Sequence, residues 1–193
     1  MKGVKGLPDE QQLLIAFSNN DFTYIDVLIS RYENGLFSLC LKLARNHSDA
    51  EELYQQTWLK AIQKSHTCTR SFKNWLYTVC LNAYRDSFRR SRRENEVIEN
   101  ALSDEMKKHA IEAATDDISA EAEAMKNMTS KLLIEKIAVL PDKHRLPVIF
   151  HYFEGLDYRE TASVLGLPIG TIKSRLNSAK EKLRREMERE LDV

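Results

Sequence analysis

Lys173, Ser174 and Asn177, followed by Lys180 and Arg184, fall on one side of a helical pattern near the C-terminal end of the chain. Ammonium, hydroxyl, amide and guanidinium groups are hydrogen-bond donors, and Glu181 is the one acid in the first three turns of that face. The chemistry they suit is recognition: phosphate oxygens and base edges accept such donors. A second set, Asn74, Thr78, Asn82, Arg85 and Arg89, makes a polar stripe beside Trp75. Amide and guanidinium groups next to aromatic residues suit nucleic-acid backbone and unstacked bases. A third set, Glu52, Gln55 and Gln56, faces outward from an acid-started helix, as either a plain solvated face or a protein-docking face. Bond-making chemistry finds no foothold. The five histidines are scattered, and neither a Gly-rich phosphate loop nor a nucleophile motif occurs. No enzyme activity and no cofactor are expected.

The first donor set requires a particular scaffold. Asp157 with Glu160 three residues later has capping-box spacing and opens a short helix carrying Ala162, Val164 and Leu165. Gly166 suits the left-handed residue that ends a helix, and Pro168 suits the first turn of the next. In that next helix Ile172, Leu176, Ala179 and Leu183 share the buried face. A short helix, a Gly turn and a helix with a basic outer side form a helix-turn-helix, whose second helix enters the DNA major groove. The plainer alternative is a helical hairpin with a solvated charged face. For Trp75 the plain reading is favoured, a core anchor at helical spacing.

Net charge is +0, yet the charges are segregated. Residues 70–93 hold seven basic residues against Asp86, residues 94–125 hold ten acids against Lys107 and Lys108, and residues 171–185 hold six basic residues against Glu181. Blocks that cancel in the sum do not cancel in space, and such asymmetry marks nucleic-acid binders. Cys40, Cys68 and Cys80 have no CxxC spacing, so reduced thiols are expected, with Cys80 buried among Leu76, Val79 and Ala83. His66, Cys68 and Cys80 have neither the number nor the spacing of a zinc site, and no metal is expected. No apolar run approaches a membrane span, and MKGVKGLPDEQQ lacks the apolar core of a signal peptide, so a cytoplasmic location is expected.

With 42% hydrophobic and 30% charged residues the chain reads as folded and helix-rich. Apolar spacing predicts helices at about 8–18, 21–45, 48–64 and 72–92, with Leu53, Trp58 and Ile62 of the third pointing inward. An acid-rich stretch with few large apolar residues follows, with partial helix at 104–114 and 119–126. A helix from about Met128 to Leu140 ends at Pro141. Pro147 falls inside the next helix, 142–153, and should kink it or mark a late start. The expected fold is all-α, with two small helical domains (8–93 and 127–190) joined by an acidic linker (94–126).

Three segments carry a family likeness: DAEELYQQTWLKAI (49–62), FKNWLYTVCLNAYRDSFRRSRR (72–93) and LPDKHRLPVIFHYFEGLDYRETASVLGLPIGTIKSRLNSAKEKLR (140–184). In order and spacing they resemble region 2.2, regions 2.3 and 2.4, and region 4 of the extracytoplasmic-function, or group IV, sigma factors of bacterial RNA polymerase, within the sigma-70 family. The likeness covers about residues 10–93 and 128–185. It implies a protein that binds the polymerase core, selects promoters at −35 and −10 elements and aids melting at −10. On this likeness Glu52, Gln55 and Gln56 meet the polymerase clamp. Asn82 takes a flipped −10 base with help from the loop 63–71, while Arg85, Arg89 and Arg90 hold nearby phosphates. Thr171, Lys173, Ser174, Arg175 and Asn177 meet −35 DNA, with Arg175 nearer a phosphate or packing role. The acidic linker is implied to run through the polymerase's active-site cleft and RNA exit channel, and an anti-sigma factor is an implied partner. Gln56 stands where Glu is usual among the core-contact positions, a departure that bears on that assignment. Ser178 stands where a second Arg is common in the −35 helix, so the −35 preference is expected to differ from the usual one. The competing expectation is a stand-alone helix-turn-helix regulator with an N-terminal effector or dimerisation domain.

Overall fold

The computed structural model describes residues 9–44, 46–68, 71–98 and 122–191, and every regular element among them is helical. In chain order these are α1 (Glu10–Ser18), α2 (Ile25–Ala44), α3 (His47–Gln63), α4 (Phe72–Ile98), α5 (Ala122–Val139), α6 (Asp142–Val148), α7 (Tyr158–Leu165) and α8 (Ile169–Leu191). A 3-10 turn, Ser65–Thr67, follows α3, and a π-helical turn, Ile149–Phe153, follows α6.

Aromatic packing at the head of α4 ties the first half together. Phe72 meets Phe17 of α1 edge-on at 5.2 Å and Tyr32 of α2 at 4.9 Å, and lies 6.4 Å from Trp58 of α3. Trp75 packs on Phe17 and Phe72 at 5.7 and 5.8 Å, which is the expected core anchor, and its Nε1 donates to Thr67 at 3.0 Å. Leu36, Leu39 and Leu43 of α2 and Leu76 and Leu81 of α4 are fully buried in the core. Cys80 is fully buried, its sulfur 3.7 Å from that of Cys40, and all three cysteines are free. Burial pushes the Cys68 thiol up to about 12.

Helix α3 is capped where the Asn46 side chain accepts from the Asp49 N–H at 2.8 Å, so it starts at His47, one residue upstream of the expected boundary. Ile62 departs from expectation: it is 36% exposed, not in the core. Ala61, at 0%, takes the inward position, and one residue of helix turns the side chain about 100° away.

The second half packs α6, α7 and α8 around Phe150, Ile172, Leu176 and Ala179. Helix α5 begins at Ala122, several residues before the expected start near Met128. The expected segment 104–114 lies outside the described residues. Pro147 does not delay the start of α6, which opens at Asp142 and carries Pro147 in its second turn. Just beyond the proline the helix widens, and the Glu154 N–H reaches back five residues to the Ile149 carbonyl at 3.0 Å. The expected single helix 142–153 is thus an α-helical and a π-helical piece in series.

Candidate nucleic-acid interface

The helix-turn-helix forms as its residues dictate. Asp157 Oδ1 accepts from the Glu160 N–H at 2.8 Å, and Glu160 Oε2 accepts from the Asp157 N–H at 2.9 Å, a reciprocal capping box. At the other end Gly166 takes φ 67°, ψ 39°, where a side chain would be strained. The Leu167 N–H then reaches the Ala162 carbonyl at 3.0 Å, a Schellman closure that sends the chain into α8.

On α8, Lys173, Ser174 and Asn177 are exposed, while Thr171 and Arg175 are half-buried. Arg175's backbone carbonyl accepts from His144 Nδ1 at 3.4 Å, which places this part of α8 against α6. Lys173, Ser174 and Asn177 line an open groove of about 360 Å³ whose other wall is Tyr152 and Tyr158, with Lys180 at one end. Lys173 Nζ stands 5.6 Å from the Tyr158 ring centre and Lys180 Nζ 5.5 Å from that of Tyr152. The hydrogen bond with Tyr152 is the first cause of the upward shift of the Lys180 pKa. Tyr158 is itself braced by stacking on His151 at 4.6 Å, whose Nδ1 bonds the Leu156 carbonyl at 2.7 Å.

Two tyrosines and two lysines therefore frame the donor row. Cation–π contact holds each ammonium beside a ring without removing its charge, so the groove offers positive charge and hydroxyls together. Sequence reading left out Tyr152 and Tyr158. Tyr158 directly follows the cap Asp157 and so had to emerge at the open end of α7. Tyr152 sits on the π-helical turn, where α-helical spacing misassigns faces.

The α4 stripe divides. Asn82 and Arg89 are exposed and open to a ligand. Asn74 Nδ2 donates to Glu160 Oε1 at 2.9 Å, and Arg85 Nη2 donates to the Leu165 carbonyl at 3.3 Å, so both engage α7. Burial, then the neighbouring Arg89, lowers the Arg85 pKa. Thr78 Oγ1 is satisfied by the Asn74 carbonyl at 2.8 Å, half-buried. Arg90 lies in α4 but its side chain is outside the described residues, as are residues 69–70 of the loop 63–71.

Glu52, Gln55 and Gln56 are all exposed on α3. Leu59, 54% exposed, continues their stripe at helical spacing, and Ile62 joins it. Two large apolar side chains, Leu59 and Ile62, thus lie outside the core beside acid and amide groups. Leu59 was legible from its position seven residues after Glu52.

The chain thus carries a helix-turn-helix with a donor-rich outer face, a separate amide and arginine stripe on α4, and an exposed face on α3 with two apolar side chains. The family model for Sigma-70 region 2 matches residues 28–94, and that for Sigma-70, region 4 matches residues 130–183, together more than half of the chain. The chain belongs to the sigma-70 family, and its relatives place it among the extracytoplasmic-function sigma factors. It is 25% identical to the ECF RNA polymerase sigma factor SigW of Bacillus subtilis over 83% of this chain and 87% of the relative. It is 29% identical to the ECF RNA polymerase sigma factor EcfG of Rhodopseudomonas palustris over 77% of this chain and 76% of the relative. The fold is shared with the sigma factor RpoE of Bartonella quintana, solved in complex with the anti-sigma factor NepR, at TM-score 0.66 and 23% identity, covering 86% of this chain and 96% of that one. It is also shared with CnrH, solved with the cytosolic domain of CnrY, at TM-score 0.63 and 16% identity, covering 93% and 97%.

Proposed function

We propose that this chain binds the core of bacterial RNA polymerase, directs it to promoters by reading −35 and −10 elements, and aids melting at −10. The observation that carries the reading is the tyrosine-walled donor groove of α8 on the same chain as the exposed Asn82–Arg89 stripe of α4. One is shaped for duplex DNA, the other for strand backbone and an unstacked base. The division of labour follows: 8–93 for core and −10 binding, 94–126 as acidic linker, 127–190 for −35 binding.

In this reading Thr171, Lys173, Ser174 and Asn177 meet the −35 groove, Arg175 braces the helix and reaches phosphate, and Tyr152, Tyr158 and Lys180 hold the flanking backbone. Asn82 receives a flipped −10 base, with Arg85, Arg89 and Arg90 on nearby phosphates. Glu52, Gln55 and Gln56, extended by Leu59, dock on the core. The chain itself catalyses nothing; the polymerase does the chemistry. It works in the cytoplasm, where polymerase and chromosome are, and no described helix is long and apolar enough to cross a membrane. RpoE of Bartonella quintana is bound by an anti-sigma factor, which supports an anti-sigma protein as a partner here.

The test is transcription by purified core polymerase on host genomic DNA, with and without the chain, with 5′ ends mapped. New discrete starts sharing −35 and −10 sequences are expected. No new starts from a core preparation active with another sigma factor would overturn the reading and favour a stand-alone regulator.

A further inference from the structure

Helix α1 takes no part in the contacts proposed for DNA or core, yet its C-terminal turn is built to hold another segment. The turn closes as a Schellman motif: the Asn20 N–H reaches the Phe17 carbonyl at 3.1 Å, and the Asp21 N–H the Ala16 carbonyl at 2.9 Å. That motif needs a left-handed residue. Asn20 takes the position at φ 62°, the one residue other than Gly with positive φ among those described. Gly would sit there at less steric cost, and Asn is among the few side chains that tolerate it. What Asn20 has and Gly lacks is a side-chain amide, whose Oδ1 accepts from the Ser65 hydroxyl at 2.5 Å.

Ser65 opens the 3-10 turn that follows α3 and is 0% exposed. A buried hydroxyl without a partner is costly, so this pair ties the turn to the end of α1. The rest of the turn is held from within and from α4. The Thr67 N–H reaches the Lys64 carbonyl at 2.8 Å, and the Cys68 N–H the Ser65 carbonyl at 2.9 Å. Thr67 Oγ1 donates to the Lys64 carbonyl at 2.7 Å and accepts from Trp75 Nε1 at 3.0 Å. Cys68 is 1% exposed, whereas Lys64, His66 and Thr67 are exposed. One side of the turn is thus fixed in the core and the other is open to a ligand.

Trp75 connects this turn with the −10 stripe. Trp75, Thr78 and Asn82 share one face of α4 at helical spacing. Asn82 therefore stands about 10.5 Å along the helix from the tryptophan that carries Thr67. The Trp75 ring also packs on Phe17 of α1 at 5.7 Å, so α1, the turn and the stripe share one scaffold. A strand with one base extruded at Asn82 runs past this surface, and ammonium, imidazole and hydroxyl groups suit its phosphates and bases. A base pocket works only as precisely as the groups behind it are held.

We propose that Asn20, acting through Ser65, is a positioning residue for −10 recognition: it holds the 3-10 turn so that the exposed side of Lys64, His66 and Thr67 borders the strand captured at Asn82. This rests on Asn82 being the residue that receives the −10 base.

The test uses the full chain assembled with core polymerase and a fork template carrying the −10 strand of a mapped promoter. Asn20→Gly keeps the left-handed backbone and removes the acceptor, Ser65→Ala removes the donor, and Asn20→Asp keeps an acceptor. Fork binding should weaken about fivefold in Asn20→Gly and in Ser65→Ala, the worth of one hydrogen bond, and match the parent in Asn20→Asp. In the free chain, alkylation of Cys68 by iodoacetamide, located by mass spectrometry, should be about fivefold faster in the same two variants, because the turn opens more often. Cys40 and Cys80 are fully buried, and their unchanged protection separates opening of the turn from loss of the whole core. Binding to core and to a −35 duplex should stay at parent levels, which a general loss of stability would lower as well. Parent-like fork binding in both Asn20→Gly and Ser65→Ala, or unaltered Cys68 alkylation in both, overturns the positioning role. Asn82→Ala is measured alongside. Fork binding by that variant equal to the parent's strikes the base-pocket reading, and the Asn20 and Ser65 variants still decide whether the turn is held for the strand.

Discussion

Asn74 of α4 donates to Glu160 Oε1 at 2.9 Å while the other oxygen of the same carboxylate closes the capping box on the Asp157 N–H at 2.9 Å. One side chain thus starts the helix-turn-helix and holds it against the −10 stripe. Glu160→Gln keeps an acceptor for the cap but loses the charge, whereas Glu160→Ala loses both. Glu160→Ala should destabilise the chain by about 1 kcal/mol, the usual worth of a cap contact, and Glu160→Gln by less. Equal thermal midpoints for the two variants would show that the box contributes nothing.

Lys173 and Lys180 carry charge into the α8 groove, and Asn177 carries directionality. Neutralising one phosphate contact should lower the slope of log affinity against log salt by about 1. Lys173→Ala and Lys180→Ala are each expected to do so in titrations of a −35 duplex, and Tyr152→Phe should weaken binding with the slope retained. Lys173→Ala and Asn177→Ala should both reduce initiation at a −35-dependent promoter. Unchanged transcription from such a promoter would remove these residues from the interface.

The helix-turn-helix was legible because its signals are local: a capping box, a Gly at a left-handed position and one apolar face. The same holds for the anchoring role of Trp75 and for the exposure of Glu52, Gln55 and Gln56. Less legible were features set by tertiary contact. Ile62 has an apolar side chain at a plausible inward spacing, yet Ala61 occupies that place. The π-helical turn after Pro147 shifts Tyr152 onto the groove wall. Nothing in the local sequence marks Arg145 as buried. The packing of α6 on the end of α2 buries it, and its carbonyl partners there, Lys42 and Leu43, lie over one hundred residues away in sequence.

Asn82 is exposed on α4, clear of the α7 contacts that occupy Asn74 and Arg85. Its amide can pair with the edge of an extruded base, and loss of such pairing costs about 1–3 kcal/mol. Asn82→Ala should therefore reduce recognition of a −10 single-stranded or fork template by about ten- to a hundredfold. Core binding, measured separately by fluorescence anisotropy, should be unaffected. Equal loss of both activities would sink the base-pocket assignment.

Leu59 is 54% exposed and continues the Glu52–Gln55–Gln56 face toward the C-terminal end of α3. An apolar side chain that is more than half exposed can be replaced at modest cost to the fold. Leu59→Glu should thus leave the melting temperature within a few degrees of the parent and weaken core binding at least about fivefold. Binding to promoter DNA alone should stay the same. A variant that competes for core as well as the parent does would place the docking face elsewhere.

His144 is buried between α6 and α8, and burial is the leading reason its pKa falls below the ordinary 6.5. Lys143, Arg175 and Lys182 add repulsion toward the charged ring, and the hydrogen bond to the Arg175 carbonyl opposes them. Protons therefore bind the unfolded chain more readily than the folded one. The stability that depends on a neutral His144 is complete above about pH 6.5 and is lost as pH falls through the lower folded-state value. Thermal midpoints between about pH 5 and 8 should drop on the acid side in the parent chain, and less steeply in His144→Gln, which cannot titrate. The DNA-reading helix is the element at stake, because His144 bonds the carbonyl of Arg175 within α8. Parallel pH profiles for parent and variant would assign the acid sensitivity to other groups.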